Sequence, residues 1–196
     1  MTSFLDPLRE RCEARHIPLI SQETQTFLEQ LLAVKQPKYV LEIGAAVGYS
    51  SIVIAKALQT RGGKIASFEI SYPAYLEALK NIKEANITNV LLYPFDINTI
   101  HPEKFFAEKF DFVFIDAQKS QYGDYMQKIQ PYLCPKTTLL LDDVIKYQNK
   151  LTSLYSFLKK NQINYEIFPT EPGDGVMLIT SPVPDYTYLA TDANKS

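Results

Sequence analysis

Short apolar runs alternating with helix-length amphipathic stretches fill the chain from Tyr39 to Thr180, and this alternation constrains the fold more than any other feature. Tyr39–Ile43, Lys64–Glu69, Asn89–Tyr93, Phe110–Ile115 and Thr137–Leu141 read as strands. The spacing predicts helices from an N-cap at Ser21 through Val34, over Tyr49–Leu58, Pro73–Ala85 and Gln121–Leu133, and over Asn149–Lys160, with a short one near Glu103–Glu108. Continuous apolar strands separated by helices belong in a parallel sheet covered on both faces. Tyr165–Phe168 and Val176–Thr180 form a last strand pair, joined by seven residues that include Pro-Gly-Asp-Gly. So short a connection cannot carry a parallel crossover, so one of the two strands runs antiparallel to the rest. The expected fold is α/β: a doubly wound, Rossmann-like sheet of seven strands, the last antiparallel, with extra N-terminal helices. One domain is expected, with a helical segment over 1–36, the core over 37–181 and a tail over 182–196.

Composition excludes several other classes. The chain has 196 residues, 46% hydrophobic and 21% charged, which is ordinary for a globular domain. Its two cysteines, Cys12 and Cys134, are far apart and outside any CxxC pattern, which rules out a disulfide scaffold and a structural zinc site. The net charge of -2 gives no global basic surface for non-specific nucleic-acid binding. No apolar run approaches the ~20 residues that span a bilayer, so no membrane partner is expected. Met1–Arg15 is polar and carries both charge signs, unlike a signal or transit peptide. The expected compartment is the cytoplasm.

Doubly wound sheets bind ligands beyond the carboxyl ends of their strands. The residues there are Glu42–Ser50, Glu69, Asp96, Asp116–Lys119 and Asp142–Asp143. The first turn lacks G-x-G-x-x-G: Ala46 and Tyr49 stand where the second and third glycines of a dinucleotide site would be. Glu42 before the turn is unfavourable for a pyrophosphate and favourable for a cation such as a sulfonium or an amino group. Glu69, 25 residues past Gly44, suits the two hydroxyls of a ribose, and Asp96 suits an adenine amino group. The alternative for each is a solvated strand-end acid or a generic turn. Together they favour an adenosyl cofactor with a positively charged tail. Asp116, Asp142 and Asp143 converge from neighbouring strands and repel one another unless a cation lies between them. Hard oxygen donors suit magnesium, manganese or calcium rather than zinc. His16 and His101 lie away from these strand ends.

The runs VLEIGAAVGYS, FEIS, FVFIDAQKSQY, LLLDDV and PGDGVMLIT resemble the class I metal-dependent O-methyltransferases, which include catechol and caffeoyl-coenzyme A O-methyltransferases and small bacterial relatives. EARHIPLI and LLAVKQPKYVLEIGAAVGYS look most like the bacterial tRNA 5-hydroxyuridine methyltransferases. The resemblance implies S-adenosylmethionine bound by Ile20, Glu42, Gly44, Gly48, Ser50, Glu69, Asp96 and Asp116. It implies a magnesium or manganese ion on Asp116, Asp142 and Asp143, and Lys119 as general base. Asp143 departs from the Asn usual in the family, and only Val144–Gln148 stand where relatives carry a longer insertion.

The resulting expectation is metal-dependent methyl transfer to a hydroxyl oxygen, leaning to 5-hydroxyuridine in tRNA. The alternatives are a small catechol-like aromatic acceptor and, in a different class, a non-catalytic cofactor-binding or interaction protein with a decayed metal site. Arg9, Arg11, Arg15, Lys35 and Lys38 offer a local basic patch for tRNA, or an ordinary solvated face. A homodimer is compatible with the sequence.

Overall fold

The computed structural model describes residues 4–106 and 108–180. The expected tail lies outside the described residues. Seven strands form one sheet: β1 (Tyr39–Ile43), β2 (Lys64–Phe68), β3 (Val90–Tyr93), β4 (Phe110–Ile115), β5 (Leu133–Leu141), β6 (Glu166–Glu171) and β7 (Asp174–Ile179). Their order is β3-β2-β1-β4-β5-β7-β6. β1 to β5 pair in parallel, while β7 runs antiparallel to both β5 and β6. The doubly wound sheet with its reversed last strand is therefore as expected.

Residues alternate between the two faces of the central strands. Leu41, Ile43, Val113, Ile115, Leu139 and Leu141 pack with α5 (Tyr122–Ile129) and α6 (Thr152–Lys160). Val40, Phe112, Phe114 and Leu140 pack on the other face with α1 (Leu5–Ala14), α2 (Gln22–Lys35) and α3 (Tyr49–Gln59). α4 (Tyr72–Glu84) lies beside α3 and opens with a proline in its first turn, where the missing N–H costs nothing. Ser21 caps α2 as expected, its hydroxyl accepting from Thr24 N at 3.0 Å.

Several boundaries differ: α6 begins at Thr152 rather than Asn149, and β6 and β7 span Glu166–Glu171 and Asp174–Ile179 rather than Tyr165–Phe168 and Val176–Thr180. The stretch Glu103–Glu108 makes only a 3-10 turn over Pro102–Lys104, with residue 107 outside the described set. The helix expected to reach Leu133 stops at Ile129, where a 3-10 turn containing Pro131 follows. β5 then begins at Leu133, not Thr137. Among the described residues, no helix is long and apolar enough to cross a membrane.

α5 and α6 approach closely because Gly123 has no side chain. A Cβ there would lie 2.4 Å from the Ser153 carbonyl oxygen and 2.9 Å from Leu154 N. Gly123→Ala must push the two helices apart. Overpacking of this kind costs about 1–3 kcal/mol, and each kcal/mol lowers the melting temperature by roughly 2–4 °C in a chain of this size. Thermal unfolding of the variant measures this, and an unchanged melting temperature would show that the contact relaxes freely.

Candidate active site

β1 and β4 end side by side at the centre of the sheet, where the chain leaves to opposite faces. The turn after β1 holds three residues with positive φ: Gly44 (97°), Ala46 (45°) and Gly48 (84°). A Cβ on Gly44 would sit 2.0 Å from the Asp116 carbonyl oxygen, so only glycine fits. Ala46 is a non-glycine residue in the left-handed region, a conformation that costs roughly 1–3 kcal/mol and needs outside support. Glu69 supplies it: Oε2 accepts from Ala46 N at 2.8 Å, and Oε1 accepts from Ser71 N at 2.6 Å. The carboxylate expected to face a ribose therefore also shapes the turn, and each oxygen keeps acceptor capacity.

A cleft of about 190 Å³ opens beside this turn. It gathers Gly44, Glu69, Asp96 and Asp116 from the ends of β1 to β4, with Ile70 and Phe95 as exposed apolar flanks. Asp96 also accepts from Asn98 N at 2.9 Å. The other residues expected at the cofactor do not line this cleft. Gly48 caps α3, and a Cβ there would press on Ala78 of α4 at 3.1 Å. Ile20 packs in the apolar cluster of α1, α2 and α3. Ser50 is buried beside Glu42, and its hydroxyl lowers the Glu42 pKa.

Glu42 is wholly buried, facing α3 rather than the cleft. Its Oε2 accepts from Ser51 and Ser67 hydroxyls, while Oε1 is buried without a well-formed hydrogen bond. Burial raises its pKa; the hydroxyls of Ser50, Ser51 and Ser67 offset this in part, and Asp116 adds to the rise. A buried carboxylate with an unsatisfied oxygen behind a ligand turn fits a cationic ligand.

At the other end of the site stand Asp116, Lys119, Asp142 and Asp143. Lys119 Nζ donates to Asp116 Oδ1 at 2.6 Å, lies 2.8 Å from Asp143 Oδ2, and donates to Tyr122 Oη at 2.9 Å. The cation between the carboxylates is thus the chain's own ammonium. Burial alone would lower the Lys119 pKa, but Asp116, Tyr122 and Asp143 outweigh it and hold the group far above its ordinary value. The general-base role that the resemblance implies for Lys119 would therefore need its release from these carboxylates. Asp142 is buried, and burial, then Asp116 and Asp143, push its carboxyl up to about 8. For Asp143 burial pulls upward too, yet Lys119 and a hydrogen bond with Asp174 bring the pKa below the usual range.

Among the described residues, no group of three or more His, Cys, Asp or Glu is gathered as a metal centre. Lys119 instead closes on two of the three expected acids, Asp116 and Asp143. The donor set nevertheless fits a hard divalent ion in kind: Asp116 and Asp143 are held by Lys119, and Asp142, buried beside them, is left with its proton affinity raised.

The motif reading assigned no role to Tyr122, Thr24 or Asp174. Tyr122 Oη is fully buried and lies 3.2 Å from the Ile115 carbonyl and 3.1 Å from the Asp142 carbonyl, bridging the ends of β4 and β5. Its spacing of three from Lys119 was the available signal. Thr24 Oγ1 lies 3.4 Å from Asp142 Oδ1, and Asp174 Oδ1 accepts from the backbone of Lys146 and Gly175. Nothing local in sequence links these two to the site. The basic patch is largely spent within the protein: Arg15 forms a two-pronged ion pair with Glu77, Arg11 reaches Asn81, and Arg9 turns inward, while Lys35 and Lys38 are exposed.

Comparison with known proteins agrees with this architecture. A family model described as O-methyltransferase matches residues 2–154. The chain is 33% identical over 130 residues to a catechol O-methyltransferase of Niastella koreensis, covering 65% of this chain and 58% of the relative. It is 30% identical over 135 residues to caffeoyl-CoA O-methyltransferase 2 of Petunia hybrida, covering 63% and 55%. The chain thus spans little more than half the length of these relatives. Among solved structures it is similar to the O-methyltransferase from Bacillus cereus in complex with SAH, with TM-score 0.76, 24% identity and coverage of 92% of each chain. TomG from Streptomyces achromogenes, in complex with SAM, has TM-score 0.77 and 21% identity, covering 93% of this chain and 91% of that one. At these identities the structural likeness establishes the fold.

The raised Glu42 carboxyl gives a pH-dependent expectation. Its proton is held more tightly in the folded chain than in the unfolded one, so its contribution to stability is full at low pH and lost as pH rises through the folded pKa. Glu42→Gln removes that loss. Between pH 5 and pH 8 the melting temperature of the variant should gain on that of the ligand-free wild type. A difference that stays flat with pH would mean that the buried charge is already compensated.

Proposed function

Because the chain belongs to the O-methyltransferase family, we propose that it transfers a methyl group from S-adenosylmethionine to an acidic ring hydroxyl. The observation that carries this reading is the cleft lined by Gly44, Glu69, Asp96 and Asp116, the last of which is ion-paired to Lys119. The SAM and SAH held by its structural neighbours support the same cofactor here.

Glu69 and Asp96 offer acceptors to the ribose and adenine, with Ile70 and Phe95 as apolar walls. Glu42 and Ser50 lie buried behind the turn and out of the cleft, so they would act on the cationic end only through the turn, as would Gly48, which packs against α4; Gly44 lines the cleft itself. Asp116 stands where the two halves of the site meet. The sulfonium of the cofactor activates its methyl group, so no covalent enzyme intermediate is needed. A phenol-like hydroxyl has a pKa near 10, so only about one molecule in a thousand is the oxyanion at pH 7. Asp116, Asp142 and Asp143 would hold a magnesium or manganese ion, which would stabilise that oxyanion and compete with Lys119 for its carboxylates. Lys119, as arranged here, holds its proton; released from Asp116 and Asp143, it would give that proton up to solvent, and the neutral amine could then accept the proton of the acceptor hydroxyl. Tyr122 fixes where its Nζ stands.

For the acceptor, we take 5-hydroxyuridine in tRNA, on the likeness of EARHIPLI and the β1 segment. A second reading, a small vicinal-dihydroxy aromatic, is favoured by a separate observation: the arginines of the basic patch are engaged with Glu77, Asn81, Gln25 and Tyr49. Purified protein supplied with methyl-labelled S-adenosylmethionine, and in parallel with tRNA carrying 5-hydroxyuridine or with a catechol, tests both. Label in tRNA nucleosides supports the first acceptor and label in the catechol the second; label in neither overturns the acceptor class.

Two further outcomes are expected. Transfer should stop with a chelator and return with magnesium or manganese; full activity in metal-stripped protein would exclude the ion. Lys119→Met should lower turnover by roughly 10²–10⁴, with the affinity for S-adenosylmethionine little changed. Wild-type turnover in that variant would assign proton transfer elsewhere.

A further inference from the structure

Arg9 is a polar residue of α1 that turns into the protein, although α1 contributes nothing to the cleft or the carboxylate cluster. Its guanidinium reaches three elements at once. Nε donates to Tyr49 Oη at 3.2 Å; Nη2 donates to the Ile20 carbonyl at 3.1 Å and to Gln25 Oε1 at 3.1 Å. The guanidinium carbon also lies 4.7 Å from the centre of the Tyr49 ring. Tyr49 Oη in turn donates to Gln25 Oε1 at 2.7 Å, and Gln25 Nε2 donates to Glu29 Oε1 at 2.9 Å. Glu13 on the outer side of α1 is 4.0 Å from Nη1. Tyr49 and Gln25 are buried, so these bonds form away from water, where their loss is most costly.

The positions of the partners matter more than their number. Tyr49 is the first residue of α3, immediately after the turn that ends at Gly48. Gln25 lies in the first turn of α2, next to Thr24, whose hydroxyl approaches Asp142. Ile20 belongs to the strap joining α1 to α2. One side chain therefore ties the strap and the start of α2 to the turn before α3.

We propose that Arg9 is a positioning residue that latches the N-terminal segment, residues 17–25, onto the ligand turn, and so couples the order of that segment to cofactor affinity. This rests on the reading that the turn holds S-adenosylmethionine. An arginine is needed because its fork presents separate N–H groups to acceptors on different elements; a lysine ammonium reaches this set only in part.

The test uses the full chain as wild type, Arg9→Met, Arg9→Lys and Tyr49→Phe. Backbone hydrogen exchange is followed without ligand, and S-adenosylhomocysteine binding is measured by calorimetry. Arg9→Met should speed exchange over residues 17–25 at least tenfold relative to wild type, leave β1 and β4 unchanged, and weaken S-adenosylhomocysteine by about tenfold, the equivalent of one hydrogen bond. Arg9→Lys should recover only part of both effects. Tyr49→Phe, which keeps the ring and folds without strain, should loosen the same peptide to a smaller degree, and the Arg9→Met/Tyr49→Phe pair should fall short of additivity. Unchanged exchange over 17–25, a uniform rise across the whole chain, or full rescue by lysine would each overturn the latch. A wild type that binds no S-adenosylhomocysteine would instead sink the functional reading, while the exchange measurement would still decide the latch.

Discussion

The site depends on one backbone contact at the centre of the sheet. β1 and β4 pair in parallel through Ile43 and Ile115, and Asp116 N continues the ladder by donating to the Ile43 carbonyl at 3.0 Å. There is no room for a side chain between the strand ends: the Asp116 carbonyl occupies the place of a Gly44 Cβ. Past this point one strand leads to α3 on one face and the other to α5 on the opposite face. The separation opens the crevice, as at any switch point of a doubly wound sheet. Glu69, Asp96 and Asp116, which follow β2, β3 and β4, then line it. The left-handed Ala46 belongs to the same constraint, since the turn must clear Asp116 and still enter α3, and Glu69 holds it there.

Strand positions were legible because two-sided burial writes itself into sequence as unbroken apolar runs. β1 and β4 coincide with the residues expected, and β2 and β3 differ by a residue at one end. The start of β5 was not legible. Leu133 pairs with Phe110, but Thr138 pairs with Phe112, so extra residues including Pro135 and Lys136 bulge from the strand. A proline there reads as a loop, and a bulge is one of the few places where a strand accepts it. α1 was legible only as part of a helical segment, because Leu5, Leu8 and Cys12 are its only buried residues in an otherwise polar stretch.

The site was legible where topology alone decides it. Strand-end acids point to a crevice whatever their detailed geometry, and Glu69, Asp96 and Asp116 meet at one cleft. Charge states were not legible, because they depend on sub-ångström neighbours from distant elements. Burial alone would lower the Lys119 pKa; two carboxylates within 3 Å reverse the direction. Thr24 and Asp174 come from opposite ends of the chain, and no spacing rule connects them to Asp142 and Asp143. Arg9 read as one cation of a surface patch, because the sequence does not show that Tyr49, Gln25 and the Ile20 carbonyl face it.

Asp143 shows how little a backbone need change for the electrostatics to shift. Its φ of 61° is left-handed, a region that Asn and Asp enter more readily than other side chains. An Asp in place of the Asn that the family resemblance implies therefore costs the fold little, and its effect falls on charge. The added carboxylate is met by Lys119 on one side and by a hydrogen bond with Asp174 on the other, which keep it ionised. Asp142, adjacent in sequence, forms no ion pair with Lys119 and takes a long contact from the Thr24 hydroxyl, so burial and the neighbouring carboxylates push it the opposite way. Neighbouring carboxyls with proton affinities driven apart are a recurrent way of giving two like groups different roles. Here the split follows from Lys119, Asp174 and Lys146 all acting on Asp143, while Asp142 is dominated by burial and by its carboxylate neighbours. The extra charge at Asp143 is answered from within the chain, and the remaining demand for a cation is concentrated on Asp142.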